Sequence, residues 1–273
     1  MNGSVFRQPE TNFLVVGDVH GSFAQMDNAI RHAKELDLDT IFQVGDFGIW
    51  QNDKPFLNKQ QALLEEWGIE LYFIDGNHED FPRLYEKKIL DDGTRYVRDN
   101  ITYIPRGYRW DWHGLSFLAL GGAASIDRKM RVEGRSWWPE EFITDEDILT
   151  AQSGGPVDVM FTHDSPTGAP NSVTDDFRGQ LEAMEYFGTD MLATCTWHRT
   201  QLKQVTDVTT PRLLVHGHYH MSMYGTYIHG DENHTVGDVR GLHQGAATLN
   251  NFTMVFDFDE VKKRIVELDA MKK

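Results

Sequence analysis

The chain has a single cysteine, Cys195, so no disulfide can form within it, and its 273 residues must be held together by packing, hydrogen bonds and bound ions. At this length a core can be buried without covalent staples. Cys195 is expected to be a small packed side chain rather than a nucleophile. Long apolar runs are also lacking. No stretch approaches the roughly 20 apolar residues that span a bilayer, and Met1 to Glu10 carries no apolar segment of signal-peptide length. The expectation is a cytoplasmic protein that does not enter a membrane. Cations are scarce as well: 26 Lys and Arg stand against 42 Asp and Glu, a formal charge of −16. Such a surface repels polyanions, which argues against extended nucleic-acid binding. Bound metal would neutralise part of the excess. There is no repeat, low-complexity tract or Pro/Gly/Ser linker to mark a boundary, so residues 1–273 are expected to form a single domain.

Apolar, β-branched runs alternate with amphipathic stretches through the first half, the pattern of an α/β fold with a parallel or mixed sheet. Phe13 to Gly17, Thr40 to Val44 and Glu70 to Ile74 read as strands. Between them lie a helix capped by Ser22, with Phe23, Met26, Ile30 and Ala33 at helical spacing, and a second helix around Asn58 to Trp67. From Gly93 the runs shorten to Arg95–Val97, Ile101–Ile104, Tyr108–Trp112 and Leu115–Leu120, which predicts antiparallel pairing. A loop rich in Arg and Trp, Ser125 to Trp138, precedes a short acidic helix opened by Pro139 or Thr144. Further strands are expected at Val157–Phe161, Leu213–Val215, Met223–Ile228, Thr235–Val239, Thr253–Phe258 and Arg264–Leu268, with a helical region from Thr174 to Gln204.

Five of these strands end in the same chemistry: Gly17-Asp18-Val19-His20, Gly45-Asp46, Asp75-Gly76-Asn77-His78-Glu79, Thr162-His163-Asp164 and His216-Gly217-His218-Tyr219-His220. Ligands of α/β sheets gather at the carboxyl ends of strands, so the five ends are expected to meet in one crevice. Taken singly, each block has an ordinary reading, Asp18 as a cap and Gly76-Asn77 as turn chemistry. Their recurrence after five strands is what points to a site. Aspartate, asparagine and imidazole suit a borderline divalent ion such as Mn²⁺, Zn²⁺ or Fe, and no cysteine cluster offers a structural zinc site. One bridging carboxylate and about three more ligands per ion would hold two metals about 3.5–4 Å apart, close enough for both to grip a phosphoryl group.

In this order the blocks resemble the calcineurin-like metallophosphoesterase superfamily, over Asp18 to His220. The resemblance implies a four-layer α/β/β/α sandwich of two mixed sheets. It also implies two divalent ions, manganese first, with iron, zinc or nickel as alternatives. Asp18, His20 and His220 would bind one ion, Asn77, His163 and His218 the other, and Asp46 would bridge them. A metal-bound hydroxide would attack phosphorus, His78 would contact the phosphate or protonate the leaving oxygen, and Glu79 would orient the His78 ring. The implied activity is hydrolysis of a phosphomonoester or phosphodiester of a small molecule or nucleotide. A nuclease, a protein phosphatase and an inactive metal-binding scaffold are the alternatives.

The second block departs from the protein-phosphatase pattern Gly-Asp-x-x-Asp-Arg-Gly, reading Gly45-Asp46-Phe47-Gly48-Ile49-Trp50. The substrate-gripping arginine is missing there, which turns the reading toward small phosphate esters. Arg128, Arg131 and Arg135 are candidate replacements. Trp137 and Trp138 are expected to pack the start of the helix after them, with a lid or stacking on a base as the alternatives. His216 is expected beside the site rather than in it, and His229, His234 and His243 are given no role.

Overall fold

The structure is a computed structural model that describes residues 6–170, 185–229, 235–244 and 249–271. Its first three strands are β1 (Phe13–Val16), β2 (Thr40–Gln43) and β3 (Glu70–Phe73). All of β1 and β2 is buried, as continuous runs in a covered parallel sheet must be. Their side chains divide with period two: Leu14 and Val16 face one core, Phe13 and Val15 another.

The helices between these strands cover the first of those cores. Helix α1 (Phe23–Glu35) begins where the Ser22 side chain accepts the Gln25 N–H, and it buries Met26, Ala29, Ile30 and Ala33. Helix α2 (Lys54–Trp67) starts earlier than expected, because Pro55 sits in its first turn, and ends at Gly68 in the left-handed conformation; the short α3 (Phe81–Tyr85) follows β3.

The sheet is completed by β4 (Lys88–Ile89), β5 (Arg95–Arg98), β6 (Ile101–Tyr103) and, far along the chain, β13 (Thr253–Phe256). Its order is β13-β1-β2-β3-β6-β5-β4, with β1, β2, β3 and β6 parallel and the flanking strands antiparallel. A second sheet contains β7 (Arg109–Trp112), β8 (Leu115–Leu120), β9 (Val159–Thr162), β10 (Leu213–His216), β11 (Met223–His229) and β12 (Thr235–Gly241), in the order β11-β12-β10-β9-β8-β7. Here β8, β9, β10 and β12 run parallel, while β7 and β11 pair antiparallel at the two edges.

Between the sheets lies an aromatic core in which Phe42 stacks on Phe161 at 4.3 Å and Trp110 on Phe117 at 5.2 Å. The outer face of the second sheet, with Leu118, Met160 and Leu214, is covered by α4 (Asp145–Gln152) and α5 (Thr189–Thr209). The result is the four-layer α/β/β/α arrangement of two mixed sheets. Thr144 opens α4 with a reciprocal cap to Asp147, and Pro139 opens a separate 3₁₀ turn, Pro139–Glu141. Of the helical region expected from Thr174 to Gln204, residues 174–184 lie outside the described residues. No helix among the described residues is long and apolar enough to cross a membrane.

One expectation is overturned. Arg264–Leu268 is not a strand but part of helix α7 (Phe258–Ala270), which follows the short α6 (Leu249–Phe252) and β13. The Asp257 carboxylate accepts the N–H groups of Asp259 and Glu260, both at 2.9 Å, and ends the strand before Phe258. Phe258, Val261, Ile265 and Leu268 recur at helical spacing and pack inward, leaving Val266 exposed. A period-two reading of Arg264 to Leu268 puts Ile265 and Leu268 on opposite faces and misses this longer stripe.

Candidate active site

Strands β1, β2 and β3 of one sheet and β9 and β10 of the other deliver their carboxyl ends to one place. Asp18 Oδ2 lies 3.1 Å from His220 Nε2 and 3.9 Å from His20 Nε2. The His20 and His220 Nε2 atoms are themselves 3.1 Å apart. Asp46 Oδ2 lies 3.8 Å from His20 Nε2 on one side and 3.2 Å from His163 Nε2 on the other. His163 Nε2 is also 3.2 Å from Asn77 Oδ1, while its Nδ1 faces the Val44 carbonyl at 2.8 Å. Three groups of ligand atoms, each within 4.8 Å of one another, emerge: Asp18, His20 and His220; His20, Asp46 and His78; Asp18, Asp46 and His163. The His218 ring joins none of them, but it packs against His163 with centroids 5.2 Å apart. The His218 backbone N–H donates to both Asp18 oxygens, at 3.0 and 3.2 Å.

The backbone is bent to achieve this. Among the described residues seven non-glycine positions have positive φ, and four of them are His20, Asp46, His218 and His220. Left-handed conformations cost about 1–2 kcal/mol per residue and persist where the surroundings overdetermine them, typically at functional sites. Two glycines make room for carboxylates arriving from a neighbouring strand. A Cβ on Gly76 would lie 2.1 Å from Asp46 Oδ1, and one on Gly217 would lie 2.1 Å from Asp18 Oδ1.

The donor set demands positive charge. Burial opposes ionisation of Asp18 and Asp46, yet the nearby imidazoles, His163 foremost, hold both carboxyls below their usual range. Conversely, burial alone would lower His163, but the Asp46 and Asp18 carboxylates outweigh it and push that ring up to about 10. Two buried carboxylates thus force a proton onto a buried imidazole. Divalent cations among these oxygen and nitrogen donors would meet the same need, so the residues fit the metals that the sequence implies.

His78 is held differently. Burial lowers it to about 4, with Arg131 reinforcing and Asp46 opposing the shift. Its backbone N–H donates to Asp46 Oδ1 at 2.7 Å, and its Nε2 meets Arg131 Nη2. Glu79, expected to orient the His78 ring, makes a different contact: Oε1 accepts the Phe47 N–H at 2.8 Å, and Oε2 has no hydrogen-bond partner among the described residues. Glu79 therefore braces the turn that carries Asp46. It is fully buried, and burial together with the charge of Asp46 raises its carboxyl well above the usual range.

The three arginines of the 125–138 loop part company. Arg128 lies over the Trp137 ring at 3.6 Å and pairs with Glu133 at 3.2 Å. Arg131 is half-buried with its side chain only 7% exposed, its Nε 2.8 Å from Asp127 Oδ1. Arg135 is exposed. Trp137 and Trp138 are both buried, as in the packing expected of them, and Trp137 lies edge-on to Phe142.

Several contacting residues were missed by the sequence reading. Asn77 Nδ2 donates to Ser125 Oγ at 3.0 Å, and the Ser125 N–H donates to Glu141 Oε1 at 2.9 Å while its hydroxyl reaches Oε2. Burial pushes Glu141 up to about 7 despite these bonds. Asp164 takes 2.9 Å and 2.5 Å contacts from His198 Nδ1 and the Tyr219 hydroxyl. Burial would raise its carboxyl, but His198 and His218 hold it well below the usual range. Asp164 lies within a recognised block, which was the available signal, although it was given no role there. Glu141 sits in an acidic stretch that reads as solvated surface. His216 is buried beside the cluster, its Nδ1 turned to the Gly217 carbonyl, as expected of a neighbour.

Cys195 is half-buried, and burial, with Asp164 and Glu141 nearby, pushes its thiol up to about 12. It is held protonated, as a packed side chain would be.

Comparison with known proteins agrees with this geometry. The fold resembles that of TT1561 from Thermus thermophilus, at 11% identity and a TM-score of 0.52, covering 86% of this chain and 90% of that one. It also resembles a dimetal phosphatase from Danio rerio, at 12% identity and a TM-score of 0.51, covering 87% and 88%. Among curated proteins no significant match was found. A family model described as calcineurin-like phosphoesterase matches residues 11–222, a span that contains every residue of the convergent strand ends. The chain therefore belongs to the calcineurin-like phosphoesterase family, whose members are metallophosphoesterases that use divalent metal ions.

Proposed function

We propose that the chain hydrolyses a phosphomonoester or phosphodiester of a small molecule, using two divalent ions. The observation that carries this reading is the position of Asp46, whose Oδ2 is within 3.8 Å of His20 Nε2 and 3.2 Å of His163 Nε2 and so faces two donor groups at once. Asp18, His20 and His220 would hold one ion, Asn77, His163 and His218 the other, and Asp46 both. Manganese suits these oxygen and imidazole donors, with iron, zinc or nickel as substitutes. When bound, such a pair lowers the pKa of a water and draws charge from the phosphoryl oxygens.

The remaining work falls to the chain. Arg131 is placed to take a phosphoryl oxygen in the fork geometry of its guanidinium, replacing the arginine that protein phosphatases carry after their second block. His78 is neutral in the free protein because burial and Arg131 disfavour its charge. An anionic phosphate that takes up the Arg131 guanidinium removes its repulsion and adds attraction, so His78 takes a proton from solvent, passes it to the leaving oxygen and returns to the neutral ring. Glu79, through the Phe47 N–H, keeps the Asp46 turn in register during these steps. Trp50 donates its indole N–H to the His78 carbonyl at 2.6 Å, at the position where protein phosphatases continue their longer pattern. This supports a substrate smaller than a folded protein.

The test is hydrolysis of p-nitrophenyl phosphate and bis-p-nitrophenyl phosphate by protein loaded with Mn²⁺, Zn²⁺, Ni²⁺ or Fe²⁺. Turnover of one ester over the other assigns the ester class. No turnover of either in any metal would replace this reading with a metal-binding scaffold.

A further inference from the structure

Beside His78 the surface dips into a cavity of about 330 Å³ whose lining includes Trp50, Gln51, Asn52, Arg135 and Trp138. Its volume is at the small end of ligand pockets, which run roughly 300–1,000 Å³, so it suits one nucleoside-sized group and not a polymer. Trp50 is 39% exposed, although its indole N–H is already committed to the His78 carbonyl. That bond, with the ring edge resting on Gly21, fixes the indole plane and leaves surface for a ligand to cover. Trp138 is 8% exposed and held by the Pro139 turn, so a second indole reaches the cavity on a rigid support. Arg128 and Arg131 are occupied by Glu133 and Asp127, whereas the Arg135 guanidinium has no ion-pair partner among the described residues. Gln51 and Asn52 are exposed and present amides.

We propose that this cavity is the subsite for the organic group of the ester and that it takes the nucleoside of a nucleotide. Trp50 covers a flat face of the base, the small exposed part of Trp138 closes the cavity beside it, the amides of Gln51 and Asn52 reach its polar edge, and Arg135 takes a further anionic group. The phosphoryl group then lies at His78. This assignment rests on the phosphoesterase reading for its orientation, but the binding it predicts does not require turnover. Aromatic side chains suit bases because every base has a π-face, whereas a sugar phosphate offers the indoles little.

Titration calorimetry of the manganese-loaded full chain with AMP and with ribose 5-phosphate separates the two contributions. AMP is expected to bind at least tenfold more tightly. Trp50→Ala is expected to erase most of that ratio while ribose 5-phosphate affinity holds, and Trp50→Phe, which keeps a ring but not the N–H, to restore it. Equal affinities in the unsubstituted protein, absence of AMP binding, or an equal loss of both ligands in Trp50→Ala would overturn the subsite. Preference for AMP in a chain that turns over neither p-nitrophenyl ester would remove the hydrolase reading and leave the subsite standing. Turnover of those esters without preference for AMP would do the reverse.

Discussion

Gly76 faces the carboxylate of Asp46 so closely that a Cβ on it would stand 2.1 Å from Oδ1 and 2.4 Å from the Asp46 backbone nitrogen. The contact is with backbone, so it cannot be relieved by a rotamer change. Gly76→Ala is expected to displace Asp46, cut metal affinity by more than about tenfold and destabilise the fold by about 1–3 kcal/mol. Gly68→Ala is the control: its φ is +68 and nothing lies within 4 Å, so it should cost about 1 kcal/mol and leave metal binding intact. Metal analysis after dialysis, with thermal unfolding, distinguishes the two. Normal metal content in Gly76→Ala would show that Asp46 does not depend on this close approach.

Asp46→Asn and His78→Ala should fail in opposite ways. The first removes a charge shared by two donor groups and should lower metal occupancy. The second should keep both ions and reduce kcat by about 10²–10⁴-fold. Metal content and kcat measured together on each variant decide the roles, and the reverse pattern would exchange them.

Arg131 stands between Asp127 and His78. Arg131→Ala is expected to raise KM for an anionic ester by about tenfold or more, and Arg131→Lys to recover part of it without the fork geometry. An unchanged KM in Arg131→Ala would assign the phosphate grip elsewhere.

The Asn77–Ser125–Glu141 chain orients the Asn77 amide so that Oδ1 faces His163. Ser125→Ala leaves Asn77 Nδ2 unpaired and should weaken metal binding by about 10–100-fold. Glu141 also sets a pH dependence. Its carboxyl is raised from 4.5 to about 7, so between these values the folded state binds the proton more tightly than the unfolded chain. Its contribution to stability is present below about pH 4.5 and is lost as pH rises through about 7. Glu141→Gln should flatten that part of the metal-free stability profile. A profile identical to that of the parent would discount the carboxyl.

The strand ends that build the cluster were legible because apolar runs followed by glycine and a polar residue need nothing beyond local sequence. Asp18, His20, Asp46, Asn77, His163 and His220 meet as their positions suggested. Glu79 was harder. Adjacency to His78 suggested a partner, but successive residues point apart, and its carboxylate crosses to Phe47 instead. Glu141 and Ser125, 16 residues apart, reach Asn77 only through the folded loop, and no sequence period links them. The same distinction explains α7, where the stripe from Phe258 to Leu268 spans more than the window of a strand. Leu268→Ala, at a fully buried position, should cost about 2–5 kcal/mol, against less than about 0.5 for Val266→Ala. Chemical denaturation compares them, and equal losses would deny the helical stripe.

Strand β1, which carries Asp18 and His20 at its end, has β13 as its outer neighbour: Phe13 stands opposite Phe256, and Asn12 reaches Asp257 at 2.8 Å. On a ribosome the first strand is made early and its partner late. Until residue 256 emerges, one edge of β1 keeps unpaired backbone groups, and Phe13 lacks the ring of Phe256 stacked 4.6 Å away. The assembly of this site is therefore a late, long-range closure, and its rate belongs with the slower topologies in which distant segments must find each other.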